Sequence, residues 1–168
     1  MVEVRSERPE DRDAVWQVNR AAFDQPDEAD LVNRLRVHAE PYLAFVAVLD
    51  GEIVGHIAFT PVTLHPTRPD LDVRGLAPMA VLPAYQRNGI GTALVEAGLD
   101  ACRRDGADAV VVLGHPSYYP RFGFASAASY GLRSEYDAPP EAFMALELTP
   151  SALGGITGIA RYHPTFAE

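Results

Sequence analysis

The chain has 168 residues and a formal net charge of −9, and all 14 of its Lys and Arg side chains are arginines. Without a lysine amine it can form neither a lysine Schiff base nor a Walker-type phosphate loop, which ends in Gly-Lys. Its single cysteine, Cys102, excludes an intrachain disulfide and the zinc and iron–sulfur sites that need several cysteines. The acidic charge also disfavours non-specific binding to nucleic acid, whose phosphates attract clustered cations.

The length fits one domain, which we expect to span residues 1–168 and to bury a core of its own. The first residues lack the apolar stretch of a signal peptide. Apolar runs such as residues 43–49 have the length of a strand, far below the roughly 20 residues of a membrane helix. We therefore expect a cytoplasmic protein, monomer or homodimer, that binds neither a membrane nor nucleic acid.

Hydrophobic periodicity and turn signals divide the chain into short elements. Apolar side chains at helical spacing predict two helices, the first opening at Pro9 and the second at Asp27. Asp50-Gly51 between two β-prone apolar runs predicts a two-residue hairpin. In chain order the sequence predicts strand 2–5, helix 9–23, a helix from 27 that ends before 41, strands 43–49, 53–60 and 72–82, a helix ending near 105, strand 109–113, one helical turn within 116–121 and strand 143–148; the tail 151–168 is weakly patterned.

The central part of the chain, about residues 72–124, carries the clearest topology. A strand at 72–82, a glycine-containing loop, a helix and a strand at 109–113 form a β-α-β unit. The two strands should therefore be parallel and joined by a right-handed crossover. The fold class predicted from these elements is α/β (α+β), with a mixed central sheet.

A loop with two glycines, Gly89 and Gly91, precedes the central helix. The first amides of a helix have no partner within the helix, and glycines let a pyrophosphate approach them. Arg87 could add charge, and Thr92 could add a hydroxyl. The loop does not fit a Rossmann fingerprint, because Leu94 stands where a third small residue is needed. From the glycines alone, a phosphate site and a plain turn are equally good interpretations.

Residues 76–94, LAPMAVLPAYQRNGIGTAL, resemble the coenzyme A-binding motif of the GNAT superfamily of N-acetyltransferases. That motif has the pattern Gln/Arg-x-x-Gly-x-Gly/Ala, which Gln86, Gly89 and Gly91 fill completely. A second segment, YYPRFGF at 118–124, resembles the family's segment in which a tyrosine precedes Gly-Phe. The resemblance covers most of the chain, from the first strand to Leu148, and implies helices on both faces of a sheet whose parallel strand pair splays apart.

The resemblance also implies where coenzyme A would bind. Its pantetheine arm would dock like an extra strand on the splayed strand, at Met79, Ala80 and Val81. An ordinary core strand is the alternative there, and both descriptions can hold. The pyrophosphate would lie on the helix N-terminus, at a site made by Gln86, Arg87, Asn88, Gly89, Ile90, Gly91 and Thr92.

The family's catalytic tyrosine corresponds to Tyr119, four residues before the glycine of Gly-Phe. The resemblance implies that its phenol protonates the coenzyme A thiolate as the tetrahedral intermediate collapses, and that it also contacts the bound cofactor. Simple packing beside Phe122 and Phe124 is the alternative role for this ring.

The general base is open, because strand 72–82 carries no carboxylate after Asp72. The candidates are His56, His65 and His115, since an unperturbed histidine titrates near neutral pH. His115 is favoured, because it follows a parallel strand at the edge where ligands of α/β proteins bind. His56 alternates with apolar residues on a strand and has the pattern of a core residue. A neutral amine acceptor would need no protein base.

Two functions remain open at this point. The favoured function is an acetyl-coenzyme A-dependent N-acetyltransferase without a metal, acting on a small-molecule or protein amine. The other is a coenzyme A-binding or regulatory module of the same fold that has lost turnover. Tyr119 together with a usable base would distinguish them, and no motif identifies the acceptor.

Overall fold

A computed structural model describes residues 1–168, in which nine strands form one mixed sheet flanked by three α-helices. The strands are β1 Glu3–Ser6, β2 Leu43–Leu49, β3 Glu52–His65, β4 Val73–Val81, β5 Ala109–Leu113, β6 Ala125–Ser126, β7 Leu132–Ser134, β8 Phe143–Glu147 and β9 Gly158–Tyr162. The helices are α1 Arg12–Phe23, α2 Asp27–His38 and α3 Ile90–Arg104. No helix combines the length and hydropathy that crossing a bilayer requires.

The sheet has the order β1-β2-β3-β4-β5-β8-β6, and β9 pairs with both β3 and β7. Neighbouring strands are antiparallel except for the pairs β4–β5 and β7–β9. The β-α-β unit predicted from the sequence is therefore present, with α3 as its crossover.

The parallel pair β4–β5 is splayed, as expected from the resemblance. Only three residue pairs join the two strands, from Val73 with Ala109 to Gly75 with Val111. Beyond them β4 continues to Val81, paired with β3 alone. One side of its backbone is therefore open toward β5, which positions the cleft described below.

Helices cover both faces of the sheet, because β2 and β3 bury side chains in both directions. On one face Phe45 and Phe59 pack with the buried residues of α3, such as Leu94. On the other face Val46 packs with Val15 of α1 and Val32 of α2. The mixed α/β fold with helices on both faces is confirmed.

Several predicted boundaries are corrected by pairing between distant parts of the chain. The strand predicted at 53–60 extends to His65, because its second half pairs with β9 in the weakly patterned tail. The first α-helix begins at Arg12, since residues 9–11 form a 3₁₀ turn, and the turn predicted within 116–121 lies at Tyr119–Phe122. The strands β6, β7 and β9 were not predicted.

Close packing of α3 on β3 gives a stability test at Gly98. A Cβ atom at this position would lie 2.5 Å from Cζ of Phe59, a ring with no exposed surface. We expect Gly98→Val to lower the free energy of unfolding by about 1–3 kcal/mol, because an overpacked core must shift. Urea unfolding measures this effect. Glu96→Val, at an exposed position of the same helix, is the control; equal stability of the two variants would contradict the packing.

Candidate active site

The carboxyl end of β4 and the start of α3 enclose a cleft of about 340 Å³. Its walls combine backbone from the glycine loop with side chains from the turn after β5. The lining residues are Val81, Tyr85, Gln86, Arg87, Gly89, Gly91, Thr92, Tyr118 and Arg121. Six of them are candidate residues from the sequence, whereas Tyr85, Tyr118 and Arg121 were not assigned a role there.

The glycine loop presents a row of unpaired amides to this cleft. The first backbone hydrogen bond at the start of α3 runs from Ala93 N–H to Gly89 O, at 3.0 Å, and the N–H groups of residues 87–92 have no partner in the protein. Gly89 caps the helix with φ of +81°, a conformation that favours glycine. Free amides at the positive end of a helix dipole form an anion-binding site.

Other loop residues support this arrangement from behind. The Gln86 side-chain amide donates to Val81 O at 3.0 Å and ties the loop to the end of β4. Asn88 donates to Tyr85 O at 3.4 Å. Ile90 is buried and packs on Gly55, where any Cβ would lie 3.1 Å from the Ile90 Cγ2 atom.

The candidate strand residues Met79, Ala80 and Val81 lie on the open side of the splay. Each is paired in register with β3, and none is paired with β5. Ala80 is buried, whereas Met79 and Val81 are half-buried. Their free backbone edge has the geometry that an extended ligand needs in order to add as a strand.

Tyr119 and Tyr118 point in different directions from the turn after β5. Tyr119 is only 7% exposed and packs edge-on against Phe124 with ring centroids 5.7 Å apart. Its hydroxyl has no hydrogen-bond partner, yet it is not among the fully enclosed orphaned hydroxyls, so it retains access to solvent. Burial raises the pKa of Tyr119 to about 12.

Tyr118 instead faces the cleft. Its hydroxyl lies 3.0 Å from the Thr92 Oγ1 atom, within the first turn of α3. The Arg121 guanidinium lies over its ring, 4.4 Å from the centroid. The structure therefore joins Thr92, a candidate from the sequence, to two residues that the sequence analysis did not select.

Comparison with known proteins agrees with this geometry. Residues 6–124 match the acetyltransferase (GNAT) family model. The chain is 38% identical over 164 residues to YhbS of Escherichia coli K12, an uncharacterized N-acetyltransferase, with 97% of each chain covered. This chain belongs to the GNAT acetyltransferase family.

Two solved structures of GNAT proteins with bound ligands resemble this one. Escherichia coli YhbS in complex with CoA has a TM-score of 0.91 at 36% identity, covering 99% of this chain and 92% of that one. A GNAT family acetyltransferase from Brucella melitensis in complex with acetyl-CoA has a TM-score of 0.80 at 35% identity, covering 99% and 98%.

The three candidate histidines lie in different environments. His115 is exposed and follows β5 by two residues, and its carbonyl accepts from the amides of Tyr118 and Tyr119 at 3.1 and 3.4 Å. His65 lies at the opposite end of the sheet from the cleft, paired with Ile159 of β9. Of the three, only His115 is close in sequence and space to the tyrosine turn.

His56 is a fully buried member of a hydrogen-bond network and is not available as a base. The Asn19 side-chain amide donates to its Nδ1 atom at 3.3 Å, so the neutral ring carries its proton on Nε2. That nitrogen lies 3.0 Å from the Glu7 Oε1 atom. Arg36 and Tyr42 also donate to the Glu7 carboxylate, at 2.9 Å each.

No metal or thiol chemistry is apparent in the site. No group of three or more His, Cys, Asp or Glu side chains is placed to hold a metal ion. Cys102 is fully buried, and burial raises the pKa of its thiol to about 12. Its thiolate is therefore scarce at neutral pH and cannot reach a substrate.

The Glu7 network predicts a specific loss of stability in acid. Burial alone would raise the pKa of Glu7, but hydrogen bonds from His56 and Arg36 outweigh it and lower the pKa from 4.5 to about 2. A depressed folded-state pKa stabilises the fold above pH 4.5, and that stabilisation is lost as pH falls toward 2. Urea unfolding across this range should show a steeper decline for the parent than for Glu7→Gln.

The comparison has an internal reference in His56. Burial lowers the pKa of His56 below 6.5, so a separate decline begins near that pH in both proteins. Parallel stability curves for the parent and Glu7→Gln below pH 4.5 would show that Glu7 is not held ionised by its partners.

Proposed function

We propose that this chain is an acetyl-coenzyme A-dependent N-acetyltransferase, with residues 1–168 acting as one catalytic domain. The observation that carries the proposal is the unpaired amides of 87–92 beside the open backbone edge of β4. The first feature suits a diphosphate and the second suits an extended amide-containing arm, and coenzyme A carries both in sequence. Relatives of 35–36% identity, crystallised with CoA or acetyl-CoA, support this assignment.

In the proposed complex the pantetheine arm lies along Met79, Ala80 and Val81, and the diphosphate lies on the amides of the glycine loop. A primary amine attacks the thioester carbonyl directly and forms a tetrahedral intermediate. Its collapse forms the amide and expels the thiolate of coenzyme A. No covalent enzyme intermediate is needed, which agrees with the burial of the single cysteine, Cys102.

We assign the proton donor to Tyr119. Its hydroxyl is free of partners, whereas the Tyr118 hydroxyl is engaged with Thr92. Burial raises the pKa of the Tyr119 phenol to about 12, and it raises the pKa of the buried Cys102 thiol to about 12 as well. A thiolate released in a similarly desolvated site would therefore be basic enough to take the phenol proton.

His115 is the proposed base for an amine that arrives protonated, since it borders the tyrosine turn at the carboxyl end of β5. An amine that arrives neutral would lose its proton to water. The choice between small-molecule and protein acceptors, the cytoplasmic location and the choice between monomer and homodimer stay predictions.

Coenzyme A binding is tested by thermal unfolding. At a ligand concentration near 100 times the dissociation constant, the stabilisation should be about 2.7 kcal/mol. Gly91→Glu should abolish the shift, because its carboxylate would occupy the anion site, while acid in the first turn does not disfavour the helix. Gly91→Ala is the control, since its Cβ would make only ordinary contacts, the closest at 3.5 Å to the Tyr118 hydroxyl. A parent protein without any shift in millimolar acetyl-coenzyme A would refute the function.

Replacing each tyrosine by phenylalanine tests the proton donor. Tyr119→Phe keeps the packing and removes the proton, so turnover should fall by roughly 10²–10⁴-fold with little change in coenzyme A affinity. Thiol release from acetyl-coenzyme A with a working acceptor measures the rate. The assignment requires a larger loss of kcat for Tyr119→Phe than for Tyr118→Phe, and the reverse order would transfer the role to Tyr118. A parent that binds coenzyme A but releases no thiol with any amine would favour the non-catalytic module.

A further inference from the structure

Arg121 is a cation held in place on the wall of the cleft opposite the glycine loop. Its Nε donates to the Tyr118 carbonyl at 2.8 Å, and its guanidinium lies over the Tyr118 ring. The Tyr118 hydroxyl is in turn anchored to Thr92 at the start of α3. These contacts fix the side chain while leaving its two terminal nitrogens free to donate.

Charges around the cleft are distributed unlike those of the rest of the protein. Acidic residues outnumber arginines by 23 to 14, and most arginines form ion pairs with them. The paired ones are Arg5, Arg20, Arg34, Arg36, Arg68, Arg74, Arg103 and Arg104. Arg87 and Arg121 are both unpaired, both line this cleft, and no Asp or Glu lines it.

The nearest acidic groups leave Arg121 free. Arg121 also borders a second groove along α3, which Glu96 and Asp100 line. Neither carboxylate forms an ion pair with it; Asp100 pairs instead with Arg103 and Arg104 of the same helix. The guanidinium thus lacks an internal counter-ion, although acidic side chains are common in this chain.

We propose that Arg121 is a phosphate-binding residue for the acyl donor, which contacts the diphosphate from the side opposite the loop amides. This inference rests on the proposed function. The amides of 87–92 approach a diphosphate from one side only, so oxygens on its other side need separate donors. The planar guanidinium suits a phosphate because it can donate two parallel hydrogen bonds. Tyr118 is the positioning residue that holds the guanidinium there.

A purely structural role for Arg121 is the competing explanation. Its hydrogen bond to Tyr118 O could simply stabilise the turn that carries both tyrosines. That role predicts a lower melting temperature without ligand, together with equal losses for ligands with and without phosphates. Phosphate binding predicts a loss confined to phosphate-containing ligands.

Arg121→Gln separates these roles in calorimetric titrations with coenzyme A and with pantetheine, which lacks the diphosphate. The dissociation constant of coenzyme A should rise roughly 10- to 100-fold, as expected for loss of charge-assisted hydrogen bonds. That of pantetheine should not change, nor should the melting temperature of the free protein. Added salt should weaken coenzyme A binding less in the variant than in the parent, because one screened attraction is gone.

Two further variants control for charge. Arg161→Gln removes an exposed, unpaired arginine on β9 and should leave coenzyme A binding unchanged. Arg121→Lys keeps the charge without the planar fork and should restore only part of the affinity.

The outcomes distinguish this inference from the proposed function. Parent-like coenzyme A affinity in Arg121→Gln, or equal losses with both ligands, would overturn the role of Arg121 and leave the function standing. A parent protein that does not bind coenzyme A would overturn both.

Discussion

The early separation of β4 from β5 is the constraint on which the rest of the site depends. Buried Arg74 lies at this point, with Nε 2.6 Å from the Asp72 carboxylate and a terminal nitrogen 2.9 Å from Asp105, just after α3. At the other end of β4, Gln86 ties the loop back to Val81 O. Both ends of α3 are thereby fixed against β4, so the helix cannot close the gap that its own strand leaves open. Unpaired backbone groups along β4 then need water or a ligand as partner.

The part of the fold that follows from local sequence was predictable, and the part that depends on distant pairing was not. The strands β2 and β5 match their predicted bounds residue for residue, because each is a continuous apolar run between turn signals. By contrast, β7 has three residues and β9 lies in a weakly patterned tail. They exist because β9 pairs with the second half of β3, nearly the whole chain away. That same pairing lengthens β3 beyond the predicted strand.

The candidate site divides in the same way. The glycine loop could be found because its anion site is made by consecutive backbone groups, so its information lies within a few residues. Tyr118 and Arg121 were not found, because their position opposite the loop depends on how the chain returns after β5. Their spacing of three residues within a single predicted turn was a usable signal, since such residues share one face of a 3₁₀ helix. For His56, alternation on the strand correctly indicated a core residue.

The turn after β5 connects donor binding with proton donation in the proposed mechanism. Neighbouring residues in a 3₁₀ turn point about a third of a revolution apart, so Tyr118 can face the cleft while Tyr119 faces the core. Any ligand that engages Arg121 therefore also loads the carbonyl and ring of Tyr118, one peptide bond from Tyr119. An acidic protein gains a second advantage from this arrangement. By keeping carboxylates out of one cleft it can attract a polyanion locally, despite a net charge of −9.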